Sequence, residues 1–263
     1  MSAWINLSAA FAATVALAFG AQLPLGSSAQ AQAIAQKPVT VVELFTSQGC
    51  NSCPPADKFL LELVARQDRD NLIVLGYHVD YWDYLGWADT FATPQSTARQ
   101  RGYMRSLRLQ SVYTPQIVVG GRYERVGADK AAVEAAIEQA RATVPGGGAN
   151  VWFDYAENGA PVLRVEPPPA SDFKVDAEIL LVLFADTKNV PIARGEHAGK
   201  TIGYANIVQT MLHLAKWDGR PATFSPPTGQ LSPGASFCAA IVQQVNQGPI
   251  LGAVRARITD GTW

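Results

Sequence analysis

Apolar and polar positions follow two regimes along this chain. From residue 39 to 142, short β-branched runs trade places with stretches of helical spacing. From 149 onward the apolar runs are strand-length and separated by turn residues. In the first regime, residues 39–45 (VTVVELF) read as a strand, 54–65 carries Phe59, Leu60, Leu63 and Val64 at helical spacing, and 72–79 is apolar again. Strand, helix, strand predicts a parallel pair joined by a crossover, and hence an α/β layer arrangement. Residues 81–109 are too long for a simple connection and are predicted helical over 94–107, with Thr93 as N-cap and Pro94 at the first helical position, so they read as a helical insertion. Residues 117–119 and 123–126 flank Gly120-Gly121 as a hairpin, and 128–142 is an alanine-rich helix with Val133 and Ile137 on one side.

The run 143–148 (TVPGGG) interrupts all periodicity and predicts a boundary. Beyond it, 151–155, a hairpin turn at Asn158-Gly159, 162–165, the stiff Pro167-Pro168-Pro169, 177–184, 237–245 and 250–258 describe strands and turns, a sandwich-like pattern. Residues 201–217 fit a helix through Ile207, Met211 and Leu214 and a strand through Ile202, Tyr204 and the closing Asp218-Gly219. The strand reading is favoured.

Length and composition narrow the function classes. With 263 residues, 48% hydrophobic and 16% charged, the chain can bury sizeable cores. A net charge of −1 provides no field to hold a polyanion, so nucleic acid is not an expected partner. Residues 1–36 contain no Lys, Arg, Asp or Glu; 9–25 is apolar, and A-x-A patterns follow at 29–33. This predicts a signal peptide over 1–33, a periplasmic or secreted mature chain, and no stable membrane insertion after cleavage. The short leading segment lacks Lys and Arg, which keeps a retained membrane anchor as the alternative.

Export changes how the three cysteines are read. Cys50 and Cys53 can pair in an oxidising compartment, and Cys238 is left over. Structural zinc needs about four ligands, and His78, His197, His213 and Cys238 offer no second paired spacing, so a zinc ribbon is disfavoured. Cys50-Asn51-Ser52-Cys53 falls between a predicted strand and a predicted helix, the context in which C-x-x-C carries redox chemistry. Two intervening residues permit disulfide geometry, and unpaired N–H groups at a helix start favour a nearby thiolate, the attacking species. One sulfur attacks to form a mixed disulfide that the other resolves. Cys50 is assigned as nucleophile and Cys53 as resolving thiol; an inert disulfide or two buried thiols is the plainer alternative. Pro54 and Pro55 disfavour a helical conformation before them, so the helix is expected to begin near Pro55.

Residues 39–142 resemble the thioredoxin-like superfamily, and residues 42–57 (VELFTSQGCNSCPPAD) are similar to a bacterial secreted family, domain of unknown function 1223. Together with the strand pattern downstream, the resemblance implies an α/β thioredoxin-like domain over 38–144 with a helical insertion, followed by an all-β sandwich-like domain over 149–263. It implies a cis proline facing the redox pair. Thr114-Pro115-Gln116 matches that position, and the Thr114–Pro115 backbone is expected to bind an extended substrate segment. It also implies a buried acid that handles the resolving thiol's proton, for which Glu43 is the nearest match, offset by one residue. Two departures weaken any strongly oxidising character: Gly49 replaces the usual aromatic before the first cysteine, and no basic residue lies between the cysteines.

Residues 78–87 (HVDYWDYLGW) are dense in aromatics. Tyr81, Trp82 and Trp87 are candidates for an apolar wall beside the redox groove, and His78 with Asp80 for proton or metal chemistry, although packing explains the same residues. Arg99, Arg101, Arg105 and Arg108 read as a solvated basic face, and Cys238 as a small buried hydrophobe. The expected function is an exported thiol–disulfide oxidoreductase acting on protein or small-molecule thiols. It needs no cofactor beyond its cysteines, and its expected partners are thiol- or disulfide-containing exported proteins and a redox recycling partner. The alternatives are a noncatalytic secreted binding module of thioredoxin fold and a Cu(I)-handling protein.

Overall fold

A computed structural model describes residues 39–144, 148–168, 173–227 and 232–258, together with Met1. Residues 2–33 of the predicted signal segment, positions 145–147 of the predicted boundary, and Pro169 lie outside the described residues.

The N-terminal half forms its elements where periodicity places them. Strand β1 (Thr40–Thr46) pairs in parallel with β2 (Leu72–His78) through helix α1 (Pro54–Arg66). Helix α2 (Pro94–Ser106) is capped by Thr93, whose side chain accepts from Ser96 N–H. Strands β3 (Gln116–Val119) and β4 (Tyr123–Val126) form a hairpin antiparallel to β1, and helix α3 (Lys130–Ala142) follows. Strands β1 and β2 are buried at every position. Val42, Leu44, Leu72 and Val74 face α1 and α3 through Phe59, Leu63, Val133 and Ile137. Val41, Phe45, Ile73, Leu75 and Tyr77 face the other way.

That second face decides the architecture, because it must also be covered. In the C-terminal half the strands are β5 (Asn150–Tyr155), β6 (Pro161–Glu166), β7 (Ala177–Ala185), β8 (Lys188–Pro191), β9 (Thr201–Tyr204), β10 (Ile207–Trp217), β11 (Ala222–Phe224), β12 (Phe237–Gln244) and β13 (Ile250–Arg257). Four of them continue the N-terminal sheet into one mixed eight-stranded sheet of order β13-β12-β7-β10-β2-β1-β3-β4. This sheet coils until Leu180, Val182 and Phe184 of β7 and Ala239 and Ile241 of β12 meet the second face of β1 and β2 in one cluster. The expected thioredoxin-like α/β domain with a helical insertion, followed by an all-β sandwich-like domain, is therefore incorrect. The structure is mostly β, with three α-helices among the described residues and a sheet shared by both halves. The remaining strands β11, β6 and β5 form a small sheet whose Leu163 and Val165 pack on Ala177, Ile179, Ala240 and Val242; β8 and β9 form a separate hairpin.

Local chemistry explains the junction. Strand β10 is in ladder register with β2 at one residue pair, Ile207 with Gly76, and Gly76 N–H donates to Asn206 O at 2.9 Å. A Cβ at Gly76 would lie 2.8 Å from Ala205 O, so only glycine admits this approach. Asn206, at φ 46°, donates its amide to Val74 O at 2.7 Å and continues the pairing with a side chain. Helix α2 is no appended insertion: Gln100 and Tyr103 are buried, and Arg99 leaves the expected solvated face for the core, while Arg101, Arg105 and Arg108 are exposed. Among the described residues, no helix is long and apolar enough to cross a membrane.

Candidate redox site

Cys50 and Cys53 form a disulfide in the turn between β1 and α1, with Cα atoms 5.4 Å apart. Cys53 is the N-cap of α1 and Pro54 is its first residue, one position ahead of the expected start. The paired prolines alter the electrostatics. They remove two of the N–H groups that a helix start would offer, and the next two, on Ala56 and Asp57, donate to Cys53 O at 2.8 and 3.0 Å. Stabilisation of a Cys50 thiolate must therefore come from elsewhere.

One donor reaches the Cys50 sulfur, from Thr114. Its hydroxyl donates to Cys50 Sγ at 3.1 Å and accepts from Trp82 Nε1 at 2.8 Å. An indole N–H only donates, so it occupies an oxygen lone pair and leaves the Thr114 proton for sulfur. The Ser52 hydroxyl is 3.6 Å from the same sulfur. The Thr114–Pro115 bond is cis, as expected, and Pro115 O accepts from Gly127 N–H at 2.9 Å. Gly49 leaves room for Trp82, since a Cβ there would lie 3.1 Å from Trp82 O and 3.3 Å from Trp82 Cβ.

Cys50 is 1% exposed and Cys53 fully buried. Cys50 lines a pocket of about 300 Å³ with Gly49, Asn51, Ser52, Trp82, Leu85 and Glu196. Glu196 belongs to the loop between β8 and β9, and the neighbouring His197 anchors that loop to the redox turn. Lys200 Nζ lies 3.4 Å from His197 Nδ1, and Cys50 O lies 3.0 Å from Nε2. A lysine only donates and a carbonyl only accepts, so the imidazole accepts on Nδ1 and donates from Nε2.

Beneath the turn is a second buried polar group. Asp57, one helical turn beyond Cys53, accepts from Thr46 Oγ1 at 2.7 Å through Oδ1, while its buried Oδ2 has no hydrogen-bond partner. Burial pushes its carboxyl up to about 7, against the opposing Thr46 hydrogen bond and the nearby His78. His78 Nδ1 lies 2.7 Å from Asp89 Oδ2, which also accepts from Gln48 N–H at 2.7 Å. Burial works to raise the Asp89 carboxyl, but the imidazole and the N–H donors from Gln48 and Phe91 together hold it below its ordinary value. The Tyr204 ring packs 4.9 Å from His78, and its buried hydroxyl also lacks a partner.

The family profile described as protein of unknown function (DUF1223) matches residues 41–243. The chain belongs to this family. Among solved structures, the crystal structure of protein AGR_C_4864 from Agrobacterium tumefaciens is similar to this DUF1223 protein, with 32% identity, a TM-score of 0.70, and coverage of 84% of this chain and 95% of that one. No curated protein matches it in sequence.

Of the residues singled out from sequence, the structure brings together Cys50, Cys53, Thr114, Pro115 and Trp82. Tyr81 and Trp87 do not line the pocket: Tyr81 donates to Gln100 Oε1 at 3.0 Å and Trp87 to Gln48 Oε1 at 2.7 Å. Glu43 faces α2, where its oxygens accept from Arg99 Nε at 2.6 Å and from the Tyr103 hydroxyl. His78 pairs with Asp89, while Asp80 accepts from Thr97 at 2.7 Å. Among the described residues, no group of three or more His, Cys, Asp or Glu side chains is placed to hold a metal ion. Sequence reading passed over Asp57 and Glu196 and assigned His197 nothing. Asp57 carried a signal, an acid at i+4 from Cys53 on the apolar side of α1.

Proposed function

We propose that this DUF1223 protein is an exported thiol–disulfide oxidoreductase working through Cys50 and Cys53. The observation that carries the reading is the oriented Thr114 hydroxyl on Cys50 Sγ, at the floor of a pocket, with Cys53 buried behind it. A static bridge needs no donor aimed at one of its sulfurs. The signal-like residues 1–33 and the disulfide itself support an oxidising compartment.

In the oxidising direction, a client thiolate enters the pocket and attacks Cys50 Sγ. The client–Cys50 bond forms as the Cys50–Cys53 bond breaks, and Cys53 leaves with the electron pair. Asp57, which burial raises to about 7 so that a large share of molecules carry its proton near neutral pH, gives that proton to the departing thiolate. A second client thiolate then attacks the client sulfur, and Cys50 leaves as a thiolate that Thr114 holds. Two client thiolates become a disulfide, and the protein keeps the two electrons as a Cys53 thiol and a Cys50 thiolate, with Asp57 left ionised until it takes a proton from solvent. Run backwards, the same steps reduce a client disulfide.

Near-complete burial of Cys50 restricts clients to small thiols and extended segments that fit the pocket. Trapping tests the scheme. Cys53→Ser accumulates mixed disulfides with clients and Cys50→Ser forms none, as read by non-reducing electrophoresis of the exported fraction. Accumulation on the Cys50→Ser protein would reverse the assignment, and none on either would remove the function.

A further inference from the structure

The pocket over Cys50 is assembled from three separate segments: the redox turn, the Trp82–Leu85 stretch, and the β8–β9 loop from the far half of the sequence. Among its lining residues Glu196 is the one ionisable side chain besides Cys50 itself. The adjacent His197, which is 2% exposed, ties the loop to Cys50 O at 3.0 Å, while Glu196 itself is exposed. Of the two cations in that loop, Lys200 sits on the other side of the same imidazole at 3.4 Å, and Arg194 is exposed and does not line the pocket. No cation lines the pocket to cancel the carboxylate.

From this arrangement we infer that Glu196 selects cationic thiols: aminothiols, or cysteines in extended segments flanked by Lys or Arg. The inference rests on the redox reading above. A thiol bearing an ammonium group brings its positive charge beside Glu196 as its sulfur reaches Cys50, and a carboxylate-bearing thiol meets repulsion at the same place. The pocket is open to solvent, so screening keeps the effect modest, about three- to tenfold in relative rate at low salt.

The test measures reduction of Cys50–Cys53 by cysteamine, 2-mercaptoethanol and 3-mercaptopropionate, in the wild type, Glu196→Gln and Glu196→Lys. Intrinsic thiol reactivity cancels when the cysteamine to 3-mercaptopropionate rate ratio is compared between proteins. That ratio falls about three- to tenfold in Glu196→Gln and further in Glu196→Lys, and in the wild type it declines toward the Gln value at high salt. An unchanged ratio across the three proteins overturns the charge selection and leaves the redox reading standing. If none of the three thiols reduces the folded wild type, the redox reading itself fails and takes this inference with it.

Discussion

Two carboxylates are buried on opposite faces of the same pair of strands, and their surroundings could hardly differ more. Glu43 points from β1 toward α2, where Arg99 and Tyr103 occupy both of its oxygens and Gln243 of β12 bonds to both partners. Asp57 lies on the α1 face with one oxygen bonded to Thr46 and the other empty. A fully partnered buried carboxyl joins elements together; the half-partnered Asp57 is pushed by burial toward its neutral form. The first joins β1, α2 and β12, and thus the two halves of the chain. The second lies one turn from the leaving sulfur. The resemblance pointed to Glu43 for the proton-handling role, and the half-partnered Asp57 is the acid we propose for it.

Removing a partner from the Glu43 cluster should have the largest effect. Arg99→Leu strands a buried carboxylate and costs about 3–5 kcal/mol of stability, measurable as a lower midpoint in urea unfolding. A loss below about 1 kcal/mol would show that the cluster does not join the halves.

The Asp57 cluster is broken through pH rather than through bulk stability. The folded state keeps the Asp57 proton up to about pH 7, whereas the unfolded chain releases it near 3.8. Between these values the folded state binds more protons, so its stability falls as pH rises. Unfolding curves of wild type and Asp57→Asn should converge at low pH and separate across this window, with the variant gaining on the wild type by a few kcal/mol. Parallel curves would mean that Asp57 titrates as an ordinary exposed carboxylate.

A smaller change sharpens the contrast at the sulfur itself. Thr114→Ala removes a hydroxyl donor to a charged group, worth about 1.5–3 kcal/mol, and should raise the reduced Cys50 thiol by about one to two pH units. The pH dependence of iodoacetamide alkylation reads this directly, and Thr114→Ser should restore most of it. No shift in the alanine variant would leave Cys50 without the stabilisation assigned to it.

How much of this was legible in the chain depends on the range of the forces involved. The strand, helix and hairpin boundaries followed from local periodicity, and Thr93 with Pro94 marked the start of α2 because capping is a property of adjacent residues. The 201–217 ambiguity resolved as two strands broken at Asn206, whose positive φ leaves no trace in hydropathy. Assembly was illegible. Burial of β1 and β2 on both faces is visible as an unbroken apolar run, but nothing local says that strands roughly 100 to 200 residues downstream provide the cover. Arg99 was misread for a related reason: an arginine on a polar helix looks solvated until its partner Glu43, 56 positions away, is placed against it.

In the redox turn, spacing identified the sulfurs, because C-x-x-C is a local pattern, whereas Pro115 came from the family resemblance. The electrostatics followed less well. Two prolines removed the helix N–H groups expected to hold a thiolate, and the replacement donor arrived from Thr114, oriented by Trp82.

The central claim is that the Cys50–Cys53 bond opens and closes reversibly in the folded protein. The most direct test equilibrates the native chain with graded mixtures of reduced and oxidised glutathione, quenches with acid, and counts alkylated thiols by mass. The account predicts a reversible transition of these two cysteines within about −150 to −300 mV, the range of exchanging protein disulfides, with Cys238 remaining unmodified because burial pushes its thiol up to about 12. A pair that stays closed in excess reduced glutathione until the protein unfolds would contradict it.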